Sequence, residues 1–342
     1  MARRGRLRGG AAPVLAVLVM LAGALAAAWR YEISSTKIRA GLPVRLIVAP
    51  GASAEAIARQ LHALGLVRHP LVFRLLARQR QLSAQLKAGE YALSGPLSVE
   101  GILDALARGD VVRRDLTVPE GRNIDEIAAL VVAEGIELAA FLEVARDPLP
   151  VRDLDPAATS LEGYLFPDTY DLPQSPEAPR VLVRRMLGRF REVIGPHLEQ
   201  IAERGLSVRQ VVTLASIVEL ETAQVGERPR IAAVFWNRLG RGMPLQTDPS
   251  IIYALKQAGR WDGNIRKRDL ELDSPYNTYR RRGLPPGPLG SPGKEAILAV
   301  LEPATTRELY FVSRNDGTHE FSETLAAHNR AVNRFQRRHA SS

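Results

Sequence analysis

The chain is predicted to fold as α+β: an N-terminal transmembrane helix, then strand–helix–helix units, then a mixed α/β domain. Three observations predict this. Residues 11–29 are apolar and carry no charge. A motif near residue 46 returns near residue 116. Apolar residues recur at helical spacing through 180–240, and Gly, Pro, Arg and Asn then crowd 241–292. Hydrophobic residues make up 46% of the 342, which allows more than one buried core.

The first element is the apolar run. Its nineteen residues, 11–29, are about the length a helix needs to cross a bilayer core. Arg3, Arg4, Arg6 and Arg8 precede it without an acid, so residues 1–10 are expected in the cytoplasm and the body outside. Trp29 and Tyr31 stand where interfacial aromatics belong. The competing reading is a cleaved signal peptide, since Ala24-Leu25-Ala26 and Ala26-Ala27-Ala28 offer small-x-small sites. The run is longer than the usual signal core of about 7–15 residues, which favours a retained anchor.

The formal net charge is +9, but five arginines lie in residues 1–30, so the body beyond carries +4. A mildly basic body outside the cytoplasm suits an anionic wall polymer or a membrane surface, not nucleic acid. The absence of cysteine excludes disulfides, thiolate metal sites and a cysteine nucleophile.

The repeat has an offset of 70: Leu46-Ile47-Val48-Ala49-Pro50-Gly51 corresponds to Leu116-Thr117-Val118-Pro119-Glu120-Gly121, and Gly65 to Gly135. Each unit reads as a strand, a Gly turn, a helix ended by Gly and a second helix. Asn123 with Glu126 three residues on is a capping-box pattern. Prolines in 173–179 suggest an exposed loop. Residues 294–301 read as a helix, 309–313 as a strand and 322–338 as an amphipathic helix with a basic tail.

The helix expected over 208–222 carries two carboxylates in an otherwise apolar sequence. At 100° per residue Glu219 and Glu221 fall on opposite borders of the apolar face, so periodicity does not choose between them. Either would have its charged form disfavoured by apolar surroundings, as a general acid working near neutrality requires. Ser216 lies one turn before Glu219, within reach of a hydrogen bond.

Four further segments stand around this helix. They are Leu161-Glu162-Gly163-Tyr164-Leu165-Phe166-Pro167-Asp168, then Leu245-Gln246-Thr247-Asp248-Pro249, Ser274-Pro275-Tyr276-Asn277-Thr278-Tyr279 and Gly283-Leu284-Pro285-Pro286-Gly287-Pro288. With Ser216-Ile217-Val218-Glu219-Leu220-Glu221 they resemble the endolytic murein transglycosylase (YceG-like) family from about residue 30 to near the end. Leu220 departs from the Lys often found there. The resemblance implies domains at 30–112, a LysM-like module, and 113–342, a YceG-like catalytic domain, with 113–150 as the second LysM-like unit. It implies Glu219 as the single acid/base, and a lyase reaction between N-acetylmuramic acid and N-acetylglucosamine that leaves 1,6-anhydro ends. Partners implied are peptidoglycan glycan strands and peptidoglycan synthases at the inner membrane, with no cofactor.

Under that resemblance Glu162, Tyr164, Gln246, Asp248, Tyr276 and Asn277 are expected to hold substrate. The amides suit acetamido groups and the tyrosines suit sugar faces. Turn chemistry at Asp248-Pro249 and Ser274-Pro275, and core packing of the tyrosines, are the plainer alternatives. The repeat units either contact glycan or serve as a platform. Arg280-Arg281-Arg282 either meets stem-peptide carboxylates or is simply solvated. His319 and His328 are not spaced as metal ligands, and no metal is expected. Two rival functions remain: a muramidase-type hydrolase using Asp248 or Glu162 as a second carboxylate, and a non-enzymatic wall-binding regulator of a synthase.

Overall fold

The computed structural model describes residues 11–34, 43–95 and 97–337. The expected cytoplasmic segment, 1–10, and the end of the basic tail lie outside the described residues. The chain is mixed α and β, and it divides into two compact units. One runs up to Arg114 and includes Pro173–Ala178; the other comprises Asp115–Leu172 and Pro179 onward.

Helix α1 spans Ala11–Ser34, one turn beyond the apolar run. Residues Val14–Ser34 are long and apolar enough to cross a membrane, a property that anchors and signal sequences share. Its last turn is not detached from the first unit. Trp29 and Ile33 pack against that unit's core, and Glu32 pairs with Arg68 at 3.1 Å.

The first unit continues with β1 (Val44–Val48), α2 (Ala54–Ala63), α3 (Pro70–Gln79), β2 (Gly89–Leu93) and α4 (Val99–Arg108). Strand alternation sends Leu46 and Val48 inward and Ile47 outward. β1 pairs antiparallel with β2, Leu46 opposite Tyr91. Ile57 and Leu61 of α2 and Phe73 of α3 complete the core. The predicted strand–helix–helix unit is thus closed by a returning strand. Residues 173–178 are more than an exposed loop, because Glu90 N–H donates to Gln174 O at 2.9 Å and Gln174 N–H to Val112 O at 2.7 Å.

The same order opens the second unit: β3 (Arg113–Val118), α5 (Ile124–Ala133), α6 (Leu138–Ala145) and β4 (Asp168–Pro173), with β3 beside β4. The offset of 70 survives in detail. Ser53 and Asn123 both cap their helices through a side-chain oxygen. Gly65 and Gly135 follow the helix ends at φ +71° and +77°, the left-handed conformation that glycine adopts without a Cβ penalty. The capping box of Asn123 and Glu126 is formed in both directions.

Four helices follow: α7 (Ala178–Ile194), α8 (Leu198–Glu203), α9 (Val208–Glu221) and α10 (Arg228–Gly240). α9 starts at a Ser207–Gln210 capping box and is buried on nearly every side from Val208 to Val218. The Gly- and Pro-rich stretch 241–292 holds a helix of its own. α11 (Asp248–Gln257) begins at the expected turn, with Pro249 at the second helical position, where a missing N–H costs nothing. α12 (Lys294–Leu301) packs on α9 and α10. A hairpin, β5 (Tyr310–Ser313) with β6 (His319–Ser322), and α13 (Leu325–Val332) finish the unit. The expected terminal helix, 322–338, is met by α13 and a π-helical turn over Asn333–Arg337, with Ser322 belonging to β6 instead.

Gly163 fixes the Leu161–Phe166 segment against the proline loop. It sits at φ +84°, and a Cβ there would lie 2.4 Å from Pro288 Cβ. Both the conformation and the contact oppose a side chain. Gly163→Ala is therefore expected to destabilise the second unit by about 2–4 kcal/mol, read as a lower urea midpoint.

Candidate active site

The last turn of α9 places its carboxylates where the two borders of the helix meet different loops. Glu219 faces the turn after β3 and the loop before α12. Those two loops are joined by their backbones: Gly121 N–H donates to Ser291 O at 2.8 Å and Ser291 N–H to Arg122 O at 2.9 Å. Glu219 Oε2 accepts the Gly293 N–H at 3.0 Å, and Oε1 lies 2.5 Å from Arg228 Nη2 at the start of α10. The same Arg228 nitrogen is 3.4 Å from Glu120 Oε2. Arg228 is buried, and its Nε and Nη1 find no hydrogen-bond partner among the described residues.

These contacts oppose one another electrostatically. Burial raises the Glu219 pKa, and the neighbouring Glu120 adds to the rise. The Gly293 N–H and the Arg228 guanidinium act the other way. The result is a carboxyl pushed up to about 7. Such a group can give a proton and take one back at neutral pH. Ser216 does not hydrogen-bond Glu219. Its hydroxyl donates to Thr213 O at 2.7 Å and accepts the Leu289 N–H at 3.0 Å, because its side chain points into the packed loop.

Glu162 occupies the N-terminus of α5. It accepts the Ile124 N–H, at 3.2 and 3.3 Å to its two oxygens, and lies 3.4 Å from the Tyr253 hydroxyl. Burial pushes it up to about 8 despite these hydrogen bonds. The Tyr253 ring stands 4.8 Å from that of Tyr276. A groove of about 460 Å3 runs beside this pair and the Glu219 loops, lined among others by Glu120, Arg122, Leu220, Tyr253, Lys256 and Trp261.

Gln246 and Asp248 lie on the other border of α9, with Glu221. They line a second cavity of about 320 Å3. Gln246 is held at φ +53°, and Asp248 Oδ1 accepts the Tyr279 hydroxyl at 2.6 Å. Two expected substrate contacts are occupied within the fold. Tyr164 is buried, donates to Asp155 at 2.6 Å and meets Phe190 edge-on. Asn277 is fully buried. Its amide donates to Leu270 O and Leu272 O at 2.9 and 2.8 Å and accepts the Tyr279 N–H at 3.0 Å. Two of the three adjoining arginines also serve the loop: Arg280 donates to Glu271 O and Arg281 pairs with Asp273, each at 2.9 Å.

The structure thus gathers Glu162 with Tyr276, and Gln246 with Asp248, in separate places. Sequence reasoning missed Arg228, Glu120, Tyr253, Trp261 and Arg238. Glu120 had one usable signal, since it stands where the first copy of the repeat has Pro50, directly before the shared glycine of the turn. Arg228 had none among so many arginines.

Comparison with known proteins agrees with this architecture. The YceG-like family matches residues 46–334. An endolytic murein transglycosylase of Bacillus subtilis (strain 168) is 30% identical, over 85% of this chain and 84% of that protein. One from Streptococcus pneumoniae serotype 2 (strain D39 / NCTC 7466) is 34% identical over 83% of this chain. The match covers only 57% of that relative's length. The crystal structure of a YceG-like protein from Listeria monocytogenes superposes with a TM-score of 0.58 at 31% identity, covering 84% of this chain and 98% of that one.

The half-buried Glu162 carboxyl makes stability depend on pH. Its folded pKa of about 8 lies above the ordinary 4.5, so the folded state keeps a proton that the unfolded chain releases. Its contribution is complete below about 4.5 and is lost as pH rises through about 8. Glu162→Gln cannot ionise. It is expected to gain on the order of 2–4 kcal/mol relative to wild type between about pH 5 and 9, measured as unfolding free energy against pH.

Proposed function

The chain belongs to the YceG-like family, and we propose that it is a membrane-anchored endolytic transglycosylase of peptidoglycan with Glu219 as its acid/base. The observation that carries this reading is the placement of the Glu219 carboxyl between the buried Arg228 and the Gly293 N–H, where burial raises its pKa. The names of the relatives supply the substrate class.

In this scheme protonated Glu219 gives its proton to the oxygen between N-acetylmuramic acid and N-acetylglucosamine. The muramic C1–O bond breaks, and the substrate's own acetamido group stabilises the positive charge at C1. Glu219, now a carboxylate beside Arg228, takes the proton from the muramic C6 hydroxyl as that oxygen bonds to C1. The proton returns to where it began, no water is consumed, and a 1,6-anhydro end is left. The groove lined by Tyr253 and Trp261 offers aromatic faces to the flanking sugars.

The packing of Trp29, Ile33 and Glu32 against the first unit supports a retained anchor. The body would then act in the periplasm at the inner-membrane surface, on strands emerging from peptidoglycan synthases, and limit their length. Whether the repeat units bind glycan as LysM-like modules belongs to the same proposal.

The test is a digest of uncrosslinked peptidoglycan by the full chain in detergent, with chain ends identified by mass spectrometry. Anhydromuramic ends are expected from wild type, with their rate about 10²–10⁴-fold lower for Glu219→Gln. Reducing ends would overturn the lyase reaction in favour of hydrolysis. Binding without cutting by wild type would favour the regulator.

A further inference from the structure

Arg228 touches the proposed acid/base and is as deeply placed as its partner. It follows the turn Val225–Glu227 and opens α10. Its side chain and that of Glu219 are each 5% exposed. A guanidinium keeps its charge at any ordinary pH, and a buried charge needs a partner of opposite sign. Among the described residues Arg228 meets two carboxyls, both through Nη2: Glu219 Oε1 at 2.5 Å and Glu120 Oε2 at 3.4 Å. Its Nε and Nη1 find no partner among them. The adjacent Glu227 is committed elsewhere. Its carboxylate accepts the His319 backbone N–H at 2.9 Å and lies 2.7 Å from His319 Nδ1.

The two contacts of Nη2 are unequal. The one to Glu219 is a short charge-assisted hydrogen bond. The one to Glu120 lies just beyond the usual N–H···O range. A shift of about 0.5 Å brings it within that range. The proposed reaction calls for such a shift. Whenever Glu219 holds its proton it is no longer an anion, and Arg228 loses its counter-charge. Leaving one member of a buried pair alone is strongly unfavourable. With no other carboxylate in reach, Arg228 would keep Glu219 ionised, and an ionised Glu219 has no proton to give.

The fold builds a seat for the second carboxylate. Gly293, whose N–H serves Glu219, has φ −76°, a value any residue adopts, so its backbone does not call for glycine. A Cβ there would fall on the Glu120 carboxyl, overlapping Oε1 and Cδ. In the same loop a Cβ on Gly290 would lie 2.5 Å from Gly121 O. These two glycines let the turn after β3 close on the loop before α12, with the Glu120 carboxyl laid across Gly293. Glu120 is 47% exposed on its other side, so a negative charge there carries little desolvation cost.

We propose that Glu120 is a positioning residue for the acid/base: it receives Arg228 while Glu219 is protonated and gives it back once the proton has left, so that the buried guanidinium always has a carboxylate. The assignment rests on the reading of Glu219 as acid/base. The guanidinium keeps all its own protons, and only its hydrogen bond changes partner. The charged groups acting on Glu219 are Arg228 and Glu120; the loop before α12 adds the Gly293 N–H, and Asp248 of α11 acts on Glu221 at the opposite border.

The experiment follows two quantities against pH, using the full chain in detergent: the rate of peptidoglycan cutting, and the titration of the Glu219 carboxyl. The carboxyl is read by carbon-13 NMR of glutamate-labelled protein, its resonance identified by its loss in Glu219→Gln. Glu120→Gln removes the second carboxylate. Gly293→Ala keeps the Glu120 charge and the backbone N–H of residue 293 but takes the seat. Without Glu120, Arg228 belongs to Glu219 alone and favours its charged form, so Glu219 loses its proton at lower pH. In Glu120→Gln the resonance should titrate about one pH unit or more below wild type, and cutting at about pH 8 should be about tenfold slower, most of the rate returning by about pH 5.5. Gly293→Ala should move both quantities the same way by a smaller step. The proposal is overturned by an unchanged titration in Glu120→Gln, or by a loss of rate equal at every pH, as a merely structural role gives. If Glu120→Gln fails to unfold cooperatively, Gly293→Ala decides by the same two readouts. The two proposals fail separately. A shifted titration in a protein that does not cut removes the transglycosylase and leaves the sharing of Arg228, while cutting with an unchanged titration does the reverse.

Discussion

The site depends on one constraint: α9 has almost no face toward water. Residues Val208, Val211, Val212 and 213–218 are all buried, under α10, α11 and α12 among others. Any carboxylate in its last turn is therefore desolvated, and desolvation is what moves Glu219 and Glu221 away from ordinary glutamates. A buried ion pair seldom repays its desolvation in full. The Glu219–Arg228 contact at 2.5 Å accordingly leaves the carboxyl near neutrality and not firmly ionised.

The repeat explains how a second set of groups reaches that helix. Both copies use the strand–turn–capped-helix design, with Ser53 and Asn123 in equivalent places. The second copy is the one that meets the loop before α12. Its turn carries Glu120 where the first has Pro50, and it presents Gly121 and Arg122 to the loop before α12. The N-terminus of its first helix holds Glu162, a favourable end for a carboxylate. A scaffold shared by both units thus becomes one wall of the site by a few substitutions in a turn.

Legibility varied with the range of the interaction that decides each feature. α12 matches the expected 294–301 because its periodicity and its Gly293 start are local. α11 is hidden inside the stretch that Gly, Pro, Arg and Asn crowd. Asp248-Pro249 is equally good as a turn or as the first turn of a helix, and only the packing of Ile251 and Tyr253 into the second unit decides. Tyr164 and Asn277 show the same limit. Each residue type suits a sugar, yet Asp155 and the carbonyls of Leu270 and Leu272 claim them first.

By itself the sequence determined the apolar N-terminal helix, the doubled unit, the caps and the carboxylate-bearing helix, since each is written in spacing of a few residues. It also narrowed the chemistry to two glutamates. The tertiary structure alone decided what each glutamate meets. Arg228 lies across a break between helices, and Gly293 is 74 residues away from Glu219. Periodicity assigns a residue to a face of a helix, while the partners on that face come from whichever distant loops the core brings against it.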